Sequence, residues 1–277
     1  VVESGNLTYS VSGSDATMTL TAGTHEGSLT DAFTATDYDA STHSLKIVGQ
    51  GSGTGAGDTT WKDFKFDRKH NNNAPARLDI SGIRLATDNI DGYAVRTHTT
   101  LTTMTNVAIH GYSGDHNSSI TNHAGAAPTG SRWLEKLGGA MRIQAADYTN
   151  ENHDASNPTL KNVSVTNCCR GVRFQDTTGA YIKDCSVENI SDNAFYFAAT
   201  SSSSSYGCQG CTVDNCTAKD MGQHGLLNIG GDNNTFKNCT VNGTRGTGGA
   251  NFNTDGDITY DNCTFTNTNR DYSNTPW

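Results

Sequence analysis

Arg96, Arg142 and Arg173 each stand third in a stretch of one pattern: Ala94-Val-Arg-Thr-His98, Ala140-Met-Arg-Ile-Gln144 and Gly171-Val-Arg-Phe-Gln175. The alternation of an extended strand turns the second and fourth residues to one face and the arginines to the other. Stacked as neighbouring strands, the guanidinium groups would lie about 5 Å apart. Each like-charge pair then costs on the order of 1 to 3 kcal/mol, depending on the local dielectric. A chain of net charge −9 has no general reason to gather positive charge there. Recognition of a polyanion is such a reason, since carboxylates or sulfates meet guanidinium forks bidentately. The other reading is structural, with Glu135, Asp147, Glu151 or Asp154 from intervening segments neutralising the stack.

The alignment runs on through Ala194-Phe-Tyr-Phe-Ala198, Leu226-Leu-Asn-Ile-Gly230 and Gly249-Ala-Asn-Phe-Asn253. It puts Tyr196, Asn228 and Asn251 in the arginine column, with His98, Gln144 and Gln175 in the next outward column. Beside Arg173 the Tyr196 phenol is expected to be stabilised as phenolate, which suits proton transfer. Its ring serves equally as a platform for a sugar. Asn228, Asn251, His98, Gln144 and Gln175 extend a polar face that can bind carboxylates or hydroxyls. His224 and Asp192 fall four residues before the Asn228 and Tyr196 positions, where the carboxylate could hold the imidazole in one tautomer. A turn histidine with its hydrogen bonds satisfied is the alternative. Neither His98 nor His153 makes a metal-binding spacing with another ligand-type residue.

The elements that must position these residues come from a repeat. Leu160-Lys-Asn-Val-Ser-Val165, Ile182-Lys-Asp-Cys-Ser-Val187, Val213-Asp-Asn-Cys-Thr-Ala218, Phe236-Lys-Asn-Cys-Thr-Val241 and Tyr260-Asp-Asn-Cys-Thr-Phe265 return about every 22 to 31 residues. A unit this short cannot bury its own apolar face and must stack on its neighbours. The expected fold is all-β, a right-handed parallel β-helix of about eight coils. It forms one domain over 1–277, with an entry or cap over 1–57 and coils over 58–277. Three insertions interrupt it, His110 to about Gly138, Ala146 to Asn157 and Thr200 to Gly210, and all flank the Arg142 to Tyr196 strands. Function concentrates in such loops.

Cys185, Cys216, Cys239 and Cys263 share the position of Val163 and are expected to form an internal ladder of reduced, inaccessible thiols. Cys168 falls in the column of Ile190 and Met221 and is expected in the core. Cys208-x-x-Cys211 falls in a loop, where it could pair or bind metal, although a single such motif is weak evidence for zinc. Sequons such as Asn162-Val-Ser are by-products of the repeat. No run approaches a membrane span, and the acidic balance disfavours nucleic acid. Gly49 to Gly57 lacks the Lys-Ser/Thr of a phosphate loop. No signal peptide is visible at Val1.

With these columns the chain resembles the pectin-lyase-like superfamily of right-handed β-helices, over nearly its whole length. The stretch Ile182-Lys-Asp-Cys-Ser-Val-Glu-Asn-Ile-Ser-Asp-Asn-Ala-Phe195, with Ala218-Lys-Asp-Met-Gly-Gln-His-Gly225, is similar to the catalytic module of secreted mannuronan C5-epimerases, matching at Asp192 or Asn193 and His224. It departs from that family where Tyr-Gly-Phe-Asp-Pro-His would stand, reading Val172-Arg-Phe-Gln-Asp-Thr177. Asn253-Thr-Asp-Gly256 resembles a polygalacturonase motif without its Asp-Asp pair or Gly-His-Gly.

The resemblance implies a secreted, carbohydrate-active protein whose partner is an anionic polysaccharide. The leading expectation is a polysaccharide lyase cleaving an alginate-like or pectate-like uronic-acid polymer by β-elimination. Arg142 and Arg173 would neutralise the sugar carboxylate while Tyr196 and His224 exchange protons. The alternatives are C5-epimerisation, glycoside hydrolysis through the carboxyl pair Asp176 and Asp192, or a binding β-helix of the tailspike or adhesin kind. No cofactor is required; calcium is an option, though no calcium-loop spacing stands out.

Overall fold

The computed structural model describes residues 7–12, 15–26, 44–51, 58–62, 64, 66–67, 77–86, 93–98, 101–111, 139–144, 157–190, 192–199, 207–251 and 257–273. The three insertions lie almost wholly outside these residues, as do His153 and the loop residues Trp133, Tyr148 and Ser201 to Ser205 expected to flank the arginine face. So do the loop carboxylates Glu135, Asp147, Glu151 and Asp154.

Strands pair in parallel from coil to coil and form a β-helix with three faces. The first face stacks Leu160 of Thr159–Thr166 on Met104 of Leu101–His110, then Ile182, Val213, Phe236 and Tyr260 in register. The second aligns Val165, Val187, Ala218, Val241 and Phe265. The third is built from Phe66–Asp67, Tyr93–His98, Gly139–Gln144, Val172–Gln175, Phe195–Ala198 and Leu226–Ile229, followed by the end of Thr240–Asn251. The one antiparallel pairing among the described strands is Leu7–Ser12 on Asp15–Leu20, at the N-terminal end.

Two features of the repeat explain why the chain turns where it does. The Asn or Asp before the Val or Cys of each repeat adopts left-handed backbone, as at Asn162 (φ 52), Asp184 (φ 54), Asn215 (φ 53), Asn238 (φ 55) and Asn262 (φ 49). These residue types tolerate that conformation best after glycine. Their side chains then hydrogen bond along the stack: Asn162 Nδ2 donates to Asn106 Oδ1 at 2.8 Å, Asn215 to Asp184 at 2.7 Å, and Asn262 to Asn238 at 2.9 Å. The repeat's Asn is therefore a corner residue with its amide engaged, consistent with reading the sequons as by-products.

The next position is the thiol column. Cys185, Cys216 and Cys239 follow Val163 into the core, while Cys263 is only half-buried, so the expected inaccessibility fails at the last coil. Backbone amides of one coil point at the sulfur of the next, Val163 N to Cys185 Sγ and Cys185 N to Cys216 Sγ, both at 3.4 Å. Cys168 is core, as expected. Cys208 and Cys211 correct the sequence reading. Both are wholly buried thiols, Cys208 pairing with Gly231 in a short parallel ladder, so the motif belongs to the core and not to a loop. Deeper inside, rings stack down the axis, Phe197 on Phe236 at 5.2 Å and Phe236 on Tyr260 at 5.3 Å.

The third face corrects the alignment of its last coils by one residue. Tyr196 is registered with Leu227, and Phe197 with Asn228. The cause is a column of small residues at the strand entry. Ala140, Gly171, Ala194 and Gly225 follow one another, with Ala140 N bonded to Arg170 O, Gly171 N to Asn193 O and Ala194 N to His224 O. Coils approach so closely there that a Cβ on Gly171 would sit 2.2 Å from Ala194 O. Gly225, not Leu226, is the counterpart of Ala194.

Candidate functional site

On the third face the arginine column forms as read: Arg142 lies in register with Arg96 on one side and Arg173 on the other, and Arg173 with Tyr196. Asp67 holds the register position before Arg96. Arg142 is 7% exposed. Gln175 explains how two guanidinium groups tolerate each other, because its Oε1 accepts from Arg142 Nη2 at 2.7 Å and from Arg173 Nη2 at 2.9 Å. A single carbonyl oxygen with two lone pairs bridges the like charges. The Nε groups of Arg96 and Arg173 are buried with no hydrogen-bond partner among the described residues. Gln144 and His98 share the register column of Gln175.

Tyr196 completes the column. The Arg173 guanidinium carbon lies over its ring, 4.9 Å from the centroid. Burial pushes the phenol above its ordinary range and outweighs the opposing pull of Arg173. That overturns the expected phenolate: desolvation of the charged form wins over a neighbouring cation. Tyr196 is a protonated group stacked under a guanidinium.

A buried ion pair beside this column has no counterpart in the sequence reading. Arg170 Nε donates to Asp192 Oδ2 at 2.7 Å and its Nη1 to the Tyr93 hydroxyl at 3.0 Å, all three residues being buried. Burial opposes the charge on Arg170, but Tyr93 and Asp192 together raise its affinity for the proton. Burial likewise pushes the Asp192 carboxyl up, against Arg170 and Arg173. The signal available was an arginine just before the small residue of one coil and an aspartate two residues before that of the next.

Asp192 is therefore committed to Arg170 and to Asn193, whose Nδ2 donates to Oδ1 at 2.8 Å. His224 engages a different residue from the one expected. Its Nδ1 lies 2.6 Å from Thr247 Oγ1 and also accepts the Thr247 backbone N–H at 3.2 Å. An Nδ1 that accepts leaves the proton on Nε2, and burial lowers the imidazole to about 4, so His224 is neutral at ordinary pH. The turn-histidine alternative is the one realised.

Asn228 and Asn251 leave the outward face altogether. In the corrected register they follow Phe197 inward and form a polar chain in the interior. Asn228 Nδ2 donates to Asn251 Oδ1 at 3.0 Å, and Asn234 Nδ2 reaches both Asn228 Oδ1 at 3.1 Å and Cys208 O at 2.8 Å. The outward column past Tyr196 reads Leu227 and Ala250 instead, both buried. Asp176, with left-handed backbone (φ 52), ends the strand Val172–Gln175, whereas Asp192 precedes the next strand. The two nominated hydrolase carboxyls thus stand at opposite ends of the face. Among the described residues no group of three or more His, Cys, Asp or Glu side chains converges to hold a metal ion.

The chain belongs to the family described as the right handed beta helix region, whose model matches residues 82–265. No curated protein matches it in sequence. Among solved structures it is similar to a provisionally assigned glycosyl hydrolase from Parabacteroides merdae, at 11% identity over 83% of each chain with a TM-score of 0.27. It is also similar to PfbA, a surface adhesin of Streptococcus pneumoniae, at 11% identity over 91% of this chain and 84% of that one, with a TM-score of 0.33.

Proposed function

We propose that this right-handed β-helix binds an anionic uronic-acid polysaccharide across Arg96, Arg142 and Arg173 and cleaves it by β-elimination beside Tyr196. One observation carries the reading. In a chain of net charge −9, a stack of arginines keeps buried Nε donors on Arg96 and Arg173 without acceptors among the described residues. An unpaired buried donor costs about 1 to 3 kcal/mol, and a carboxylate is the acceptor that fits a guanidinium fork best. A polymer with a carboxylate on each sugar would meet successive forks as it crosses the coils. The reading carries an extracellular location, where such polymers occur.

In β-elimination the proton beside the carboxylate leaves, the bond from the neighbouring carbon to the glycosidic oxygen breaks, and a carbon–carbon double bond forms. Arg173 neutralises the carboxylate so that the carbanionic transition state is stabilised. Tyr196, whose phenol burial raises above its ordinary range, relays the proton: its oxygen takes the proton from the carbon beside the carboxylate as its own proton passes to the departing oxygen. Asp192 and Tyr93, which also act on Tyr196 electrostatically, are both bonded to Arg170. That commitment favours a second reading, binding without turnover.

Incubation with alginate, pectate and other polyuronates separates the two, read as ultraviolet absorbance of the unsaturated product. The lyase reading expects absorbance to rise with one of them, and to fall by about 10²-fold or more in Tyr196→Phe with little change in binding. Binding with no absorbance change on any polyuronate selects the second reading. Full activity in Tyr196→Phe overturns the mechanism.

A further inference from the structure

The thiol column ends in a pair with chemistry of its own. Cys239 and Cys263 stand in phase on neighbouring coils, each one residue before the registered pair Thr240 and Thr264, and Thr264 N bonds to Cys239 O at 2.8 Å. In-register residues of adjacent strands lie about 4.8 Å apart, inside the Cα separation of about 4.4 to 6.8 Å that a disulfide spans. The Cys239 thiol donates to Lys237 O at 3.2 Å and the Cys263 thiol, one coil on, to Phe236 O at 3.4 Å, one residue before Lys237, so the two sulfurs follow each other in one column. Of the four column thiols only Cys263 reaches solvent, being half-buried while Cys185, Cys216 and Cys239 are fully covered.

We propose that Cys239 and Cys263 form a thiol–disulfide centre at which a small-molecule disulfide of the glutathione type oxidises the pair to an inter-coil disulfide. The two sulfurs have unequal roles. Cys263 is the one that meets solvent, and the neighbouring Cys239 thiol brings it down to about 7, against the opposing effects of burial and Asp261. Cys263 and burial together push Cys239 up. Cys263 is therefore the thiolate that attacks, and Cys239 the thiol that resolves.

In the first step the Cys263 sulfur bonds to one sulfur of the small disulfide, whose S–S bond breaks, and one thiolate departs and takes up a proton. In the second, Cys239 loses its proton, bonds to the Cys263 sulfur and expels the other thiolate. Two protein thiols and one small disulfide become one inter-coil disulfide and two small thiols. Cys185 neighbours Cys216 in the same column, the Cys185 backbone N pointing at Cys216 Sγ at 3.4 Å, and Cys208 and Cys211 stand three residues apart. All four of those thiols are buried, so no reagent reaches them in the folded protein.

The test incubates the native protein with oxidised glutathione at mildly alkaline pH, then quenches, unfolds, alkylates and maps the peptides by mass. The expected result is a linked Cys239–Cys263 peptide as the dominant oxidised species, with the other six cysteines alkylated. Cys263→Ser should leave every thiol reduced, and Cys239→Ala should stop at a glutathione adduct on Cys263. The wild-type map decides by itself if Cys239→Ala does not fold. A wild-type Cys263 that stays reduced, stalls as the glutathione adduct, or links two chains would overturn the proposal.

Discussion

Two ladders of like side chains run along this solenoid, and they differ in what completes them. At the corners, asparagines stack with Asp184 among them, and the amides donate to an oxygen one coil away, as from Asn215 to Asp184 and from Asn262 to Asn238. An amide carries both donor and acceptor, so such a ladder can repeat indefinitely. A guanidinium carries five donors and no acceptor, so the arginine stack of the third face cannot close on itself. Gln175 supplies one bridging oxygen between Arg142 and Arg173, while Arg96 and Arg173 keep buried Nε groups unanswered among the described residues. Repetition that satisfies itself reads as scaffold. Repetition that lacks half its partners reads as a surface awaiting an anion.

The contrast can be broken at several points. The largest effect is expected on the satisfied side, from His224. Its folded form titrates near 4 against an ordinary 6.5, so the unfolded chain binds more protons between those values and stability falls as pH drops through that window. The loss is on the order of 3 kcal/mol by the time both states are protonated. Urea titrations from about pH 7 to 4 should show it, and His224→Gln should flatten that slope; an unchanged slope would mean the imidazole is not held neutral by its burial.

Asn228→Ala comes next, because it takes from the buried Asn234 amide its bond to Asn228 Oδ1. A cost of about 1 to 3 kcal/mol is expected, without effect on polysaccharide binding if Asn228 faces the core. Lost binding at full stability would restore the outward placement. At a corner, Asn215→Ala should cost about 1 to 2 kcal/mol, since alanine resists the left-handed backbone. Asn215→Gly, judged by the same titrations, should recover most of it.

The columns were legible wherever inward residues are bulky. Val95, Met141, Val172 and Phe195 announced the third face, and the arginines between them followed. Past Tyr196 the alignment slipped because Leu226 and Leu227 are adjacent and equally apolar, so hydrophobicity could not choose between them. The small-residue column ending in Gly225 chooses, since only a residue without bulk fits under the next coil. Arg170 was overlooked because it lies in a turn rather than a strand, where alternation says nothing. The Cys208 and Cys211 pair misled for a related reason: a short core strand embedded between polar turns has too few residues to show a period. The Tyr196 phenolate failed on magnitude, burial exceeding the pull of one arginine.

The central claim is that the arginine ladder is completed by a ligand and not by the fold. The most direct measurement compares wild type with Arg173→Ala for affinity toward a uronate oligosaccharide and its carboxyl-reduced neutral analogue, at low and high salt, with stability recorded alongside. The account predicts tight binding of the acidic sugar alone, weakening as salt rises. In Arg173→Ala that binding should be lost with no loss of stability, because relief of like-charge repulsion offsets the lost ring contact. Equal binding of both sugars, or an Arg173→Ala protein that is destabilised while its affinity is unchanged, would contradict it.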